Sequence, residues 1–251
     1  MLALVERKVP TALKIFLTAL AIIDDLGAIV VIAVFYAGDF SPLFLGLAVG
    51  IFAGLLLCNR LGIQWLPVYL VPGCVMWYCL LQSGIHATMA GVLLAFAIPF
   101  ARGDAASPSY RLQHCLHKPV AFLILPLFAL ANTGIALTGN WLAGLTTANS
   151  IGIVAGLVVG KPLGITLVSL VAITLGVAQL PSEVSWRHIL GAGFLGGIGF
   201  TMSIFITLLA FDNPDIVQSA KISIMLSSLV AGTVGFLILY RHPASLSNRS
   251  V

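Results

Sequence analysis

The chain has 251 residues, of which 60% are hydrophobic and only 8% are charged, with a formal net charge of +4. A soluble domain carries roughly 25% charged residues, because water must be met by a polar surface. At a mean hydropathy of +1.11 this chain offers no such surface, so lipid is its solvent, and its scattered basic residues form no run that nucleic acid could use.

In chain order, Glu6, Arg7 and Lys8 lead straight into a full-length apolar stretch without a cleavage site, so no signal peptide is expected. Eight apolar segments follow, at 11–36, 43–59, 66–80, 84–100, 119–138, 151–173, 189–211 and 219–240. Most reach the roughly 17–25 residues that a helix needs to cross the hydrocarbon layer. The third and fourth are short and are interrupted by Pro67, Pro72 and Gly84, which suits two short crossings or one re-entrant hairpin. Charge placement favours two crossings. Arg7, Lys8, Arg60, Arg102, Arg111, Lys118, Arg187, Arg241 and Arg249 then share one side, while Asp39, Asp212 and Asp215 share the other. Basic loops stay inside, so both termini are expected in the cytoplasm. Trp65, Trp77, Trp141 and Trp186 fall near the segment ends, where aromatic belts form. The expected fold is therefore all-α, a polytopic transmembrane bundle over residues 1–251. The four cysteines, Cys58, Cys74, Cys79 and Cys115, lack metal-ligand spacing and read as small apolar residues.

Against this apolar background a few residues stand out. Asp24 and Asp25 lie about 13 residues into the first segment, roughly 20 Å along a helix. A charged aspartate at mid-bilayer costs about 2.5–3.5 kcal/mol on insertion scales. Two adjacent carboxylates also repel, so one must hold a proton, a cation or a basic partner. Lys161, inside Gly160-Lys161-Pro162-Leu163-Gly164, needs a carboxylate for the same reason, and Pro162 frees a backbone carbonyl nearby. The seventh segment carries Gly191, Gly193, Gly196, Gly197 and Gly199 ahead of Thr201. Such a run suits either an unwound break, which exposes helix-end dipoles, or close packing of small residues. His114 and His117 share a helix face three residues apart, and His86 follows Ser83-Gly84-Ile85. These histidines suit a pH response; without further ligands they are a weak metal signal.

Read together, Ala21-Ile22-Ile23-Asp24-Asp25-Leu26-Gly27-Ala28, Ser83-Gly84-Ile85-His86-Ala87-Thr88-Met89-Ala90-Gly91, Leu123-Ile124-Leu125-Pro126-Leu127-Phe128-Ala129, Gly160-Lys161-Pro162-Leu163-Gly164 and Gly197-Ile198-Gly199-Phe200-Thr201-Met202-Ser203-Ile204-Phe205 resemble the NhaA family of sodium/proton antiporters, in the family's order and over essentially the whole chain. The resemblance implies that Asp24 and Asp25 are the paired aspartates of the ion site, with Asp24 the more critical, and that Lys161 pairs with a core aspartate. It implies that Gly197 to Thr201, with Gly199 between, form the break of a discontinuous helix in an inverted-repeat transporter, an architecture of which NhaA is itself a known example. Two departures follow from the same comparison. By that resemblance the chain is expected to begin just before the family's fifth helix, without four N-terminal helices and with the inverted repeat incomplete. Gln113 stands where the family places a glutamate beside His114 and His117.

The function expected is exchange of Na⁺ or Li⁺ for H⁺ across a bacterial inner membrane, serving pH and sodium homeostasis. Both ions compete for Asp24 and Asp25, and the bundle alternates its access. The alternative is a truncated, non-transporting membrane fragment or subunit. No enzyme and no cofactor is expected. An intramembrane aspartyl protease needs its two carboxylates on different helices, whereas these are neighbours on one. The partners are Na⁺, Li⁺, H⁺ and the bilayer, with no nucleic acid, and a homodimer is left open.

Overall fold

The computed structural model describes residues 9–36, 38, 40–100, 107–135 and 144–241, and every regular element among them is helical. In chain order these are α1 (Thr11–Phe35), α2 (Pro42–Arg60), α3 (Pro67–Gln82), α4 (Thr88–Ala97), α5 (Pro108–Asn132), α6 (Ala148–Thr174), α7 (Trp186–Gly196), α8 (Phe200–Ala210) and α9 (Pro214–Arg241). Among the described residues α1, α2, α5, α6 and α9 are each long and apolar enough to cross a membrane, and α7 with α8 passes the same test as a pair bent by 45°. Helices α3 and α4, of 16 and 10 residues, are shorter. The protein is thus an all-α, polytopic membrane protein.

Prolines and small polar residues set the starts. Pro42, Pro67 and Pro108 each occupy a first helical position, where the missing N–H costs no helical bond. Helix α5 begins at Pro108 rather than at 119 because Ser107 caps it, its hydroxyl oxygen accepting from the Tyr110 N–H. The polar residues 109–118 are therefore helical, and 136–138 of that expected segment lie outside the described residues. Arg7, Lys8, Asp39, Arg102, Trp141 and Arg249, which also entered the expected orientation, lie outside them too.

The chain divides into two compact units, one of Met1–Asp24 with Asn132–Val251 and the other of Asp25–Ala131. In the second, α2 and α3 run antiparallel. Ala48 packs with Met76, Cys79 and Leu80, while Leu55 packs with Tyr69 farther down. The Tyr69 hydroxyl donates to the Ile63 carbonyl at 2.7 Å, and the Asn59 amide donates to Ala97 O at 2.8 Å. Gly84 takes φ 81 in the turn after α3, and its carbonyl accepts from the Gly38 N–H at 2.8 Å; a positive φ of that size favours glycine.

The first unit is organised on α9, half of whose apolar window is buried. Ser223 and Ser227 donate back to the carbonyls four residues earlier, so their hydroxyls sit in the core without an unmet donor. Val9, Leu13, Val184, Ile189, Ala192 and Leu239 form the core at one end. Helix α7 starts there on a capping box, in which the Ser185 N–H donates to Nδ1 of the buried His188 at 3.0 Å.

Candidate functional site

The two charged anomalies of the first unit meet. Lys161 Nζ on α6 donates to Asp24 Oδ2 on α1 at 2.6 Å, with the lysine side chain 28% and the aspartate side chain 48% exposed. Each charge answers the cost of the other, and about half of the Asp24 side chain stays exposed. Asp25 follows on the same helix, exposed, with its side chain turned about 100° around the axis from that of Asp24. Among the described residues no three of His, Cys, Asp and Glu gather as metal donors.

The backbone that presents Lys161 is irregular. Residues Ala155–Gly160 of α6 form a π turn, whose signature is the Lys161 N–H donating to Gly156 O, five residues back. Pro162 accounts for it. A proline ring clashes with the carbonyl four residues earlier and removes a donor, and a widened turn relieves both. The Leu157 carbonyl consequently loses both N–H groups that could reach it along the helix. The Lys161 N–H is turned to Gly156, and Pro162 has none.

Helices α7 and α8 close on this turn. A Cβ on Gly193 would stand 2.9 Å from Pro162 Cα, and a Cβ on Gly197 would run into the Leu157 carbonyl oxygen and stand 3.2 Å from Ala231 Cβ. On the other flank Gly191 faces Leu239, and a Cβ on Gly235 would stand 3.0 Å from the Gly191 carbonyl oxygen. The helix then breaks over Gly197, Ile198 and Gly199 before Phe200 starts α8, with Thr201 in its first turn. Both readings of the glycine run therefore hold. The small residues pack, and the same run unwinds.

The three candidate histidines belong to the second unit. His86 is half-buried in the turn between α3 and α4, while His114 and His117 are exposed on α5, with the His114 ring stacked on Tyr110 at 6.3 Å between centroids. The residue that sequence reasoning missed is Leu157. Its side chain carries no signal; only the position of Pro162 five residues later pointed to its carbonyl.

The sequence profile of the Na⁺/H⁺ antiporter 1 family matches residues 1–239. The chain belongs to that family. It is 59% identical over 238 residues to the Na(+)/H(+) antiporter NhaA of Flavobacterium psychrophilum and 57% identical over 242 residues to that of Dechloromonas aromatica. It is 56% identical over 238 residues to the Na(+)/H(+) antiporter NhaA 1 of Flavobacterium johnsoniae. Each match takes in 95% of this chain and 62% of the relative, so this member of the antiporter family spans about three fifths of the length of the curated relatives it matches.

Proposed function

We propose that Asp24 is the ion-binding carboxylate of a sodium/proton exchange site, with Asp25 beside it and Lys161 as the charge that occupies Asp24 when no cation is bound. The 2.6 Å contact between Lys161 and Asp24 carries this reading. A lysine and an aspartate placed within apolar helices cost too much to serve packing alone, and the open side of the carboxylate suits a hard cation that prefers oxygen. Na⁺, or the smaller Li⁺, and H⁺ compete for the same oxygens. The break at Gly197–Gly199 gives the helix across from Lys161 a joint about which access can alternate. Family membership supports the ion pair exchanged. His86, His114 and His117 are assigned to the pH response. The expected setting is a bacterial inner membrane with both ends of the chain in the cytoplasm.

In everted vesicles carrying the chain, NaCl should collapse an imposed pH gradient, and Asp24→Asn should abolish the collapse. Normal exchange by that variant would refute the assignment. One observation favours a second reading, in which the chain binds cations without exchanging them: the match to only 62% of each relative. In that case Na⁺, and not choline, should raise the thermal midpoint of the detergent-solubilised chain without any vesicle signal.

A further inference from the structure

We propose that Pro162 is a positioning residue for the Asp24–Lys161 pair: through the π turn before it, it sets the direction of Lys161 and keeps the Leu157 carbonyl undonated, seated on the helix break at Gly197. The inference concerns the pair assigned above as the ion site, but its geometry does not depend on transport.

A π turn fits one more residue into a helical turn than an α turn does, so everything after it is rotated by about 100° relative to a regular helix of the same length. Both flanks of this turn are fixed by neighbours. On its C-terminal side Gly193 lies against the Pro162 backbone, and inside the turn Leu157 O lies against Gly197. Lys161 sits between these contacts, the last residue before the proline and the donor of the π bond itself. If residues 155–162 relaxed to an α-helix, Lys161 would turn away from Asp24, and the Lys161 N–H would reclaim the Leu157 carbonyl. The carbonyl now left free is the one polar backbone atom of α6 shown pressed on the break of α7 and α8. Gly197 is needed there, because any Cβ would meet that oxygen. The ion pair and the break are thus joined through one turn of backbone, and a proline holds that turn open.

The test reads the amine of Lys161 directly. The full chain in native membranes is reductively methylated with formaldehyde and a borane, and the Lys161 peptide is quantified by mass spectrometry. Asp24→Asn sets the rate for an unpaired lysine. Pro162→Ala should raise the wild-type rate about threefold to thirtyfold, the range of coupling through a packed neighbour. Pro162→Ala combined with deletion of Val158 removes the extra residue along with the proline, restores the facing of both flanks as a plain α-helix, and should return the rate to wild type. A merely structural role for Pro162 would not be rescued by a second lesion in the same turn. The proposal is overturned if Pro162→Ala labels like wild type, if the deletion fails to rescue it, or if Asp24→Asn does not label faster than wild type. The transport reading fails separately: a wild-type chain with a protected Lys161 but no response to NaCl in vesicles or in thermal midpoint would sink the exchange site and leave the positioning role standing.

Discussion

Helices α5 and α6 carry the same local device and put it to different use. In α5 the π turn Val120–Ile124 ends one residue before Leu125 and two before Pro126, with the Leu125 N–H donating to Val120 O. In α6 the π turn Ala155–Gly160 stands in the same relation to Lys161 and Pro162, with the Lys161 N–H donating to Gly156 O. By the same reasoning Ala121 in α5 loses the donors that Leu157 loses in α6. What differs is the company. The residue after the turn is Leu125 in one and Lys161 in the other. Around the α5 turn Phe122, Leu123, Leu125 and Leu127 are about half or more exposed, whereas α6 has Gly193 and Gly197 laid against it. A proline writes the widened turn into either helix. A charge and a glycine-faced neighbour make it part of the proposed site.

The contrast breaks most visibly at Gly197. Gly197→Ala drives a Cβ into the Leu157 carbonyl, which as backbone cannot step aside, so α6 and α7 must part. Overpacking of this kind costs about 1–3 kcal/mol. The thermal midpoint of the solubilised chain should fall, and Lys161 should label faster. Gly152→Ala on α6 is the matched control, because a Cβ there meets nothing within 4 Å. That change should be neutral, or stabilising by at most about 1 kcal/mol through helix propensity. Equal losses from the two substitutions would mean that the approach of Leu157 to the break does not matter.

How far the sequence went is clearest around this joint. The expense of Asp24, Asp25 and Lys161 in lipid was legible from composition alone, since a charge in an apolar stretch is conspicuous wherever it falls. That Lys161 reaches Asp24 was not, because residues 137 apart meet only through the packing of α1 on α6. The glycine run was legible as a break or as a packing face. Choosing between them needed the partners Pro162, Leu157 and Leu239, and they show that no choice was required. The π turns escaped because helical periodicity averages over them. A single extra residue shifts the pattern by less than the scatter of an apolar segment in which every face is hydrophobic. The apolar pattern marks α5 only from 119, because the helix's first turns are polar, whereas Ser107 and Pro108 mark where the helix itself starts.

A smaller effect separates the two prolines. Pro126→Ala restores an N–H to α5 and lets the turn at Val120–Ile124 close, in a stretch with exposed side chains and, among the described residues, no glycine shown set against it. Its cost should stay within about 1.5 kcal/mol, the upper end of one net hydrogen bond, with Lys161 labelling at the wild-type rate. If Pro126→Ala and Pro162→Ala raised that rate alike, the turn in α6 would owe nothing to its own proline, and the comparison would lose its basis.

The smallest change is expected from the polar beginning of α5, which α6 lacks. Arg111 and Lys118 give this stretch two fixed positive charges, and His114 and His117 add the side-chain type that can gain charge near neutral pH. Both rings are exposed. A surface that grows more positive repels cations, so the native chain should lose its response to Na⁺ on the acid side sooner than a chain without these rings. Replacing both by Ala holds the local charge constant, and the acid limit of the Na⁺ response should move down by a few tenths of a pH unit, about the size of a screened surface effect. The response is read as gradient collapse in vesicles across a pH series at fixed ionic strength. An unmoved limit would remove His114 and His117 from the pH response, and a limit that moved up would mean that the added charge helps the cation rather than repelling it. A shift that survives in high salt would point away from the surface field, because exposed charges are screened within about 10 Å at 0.1 M salt.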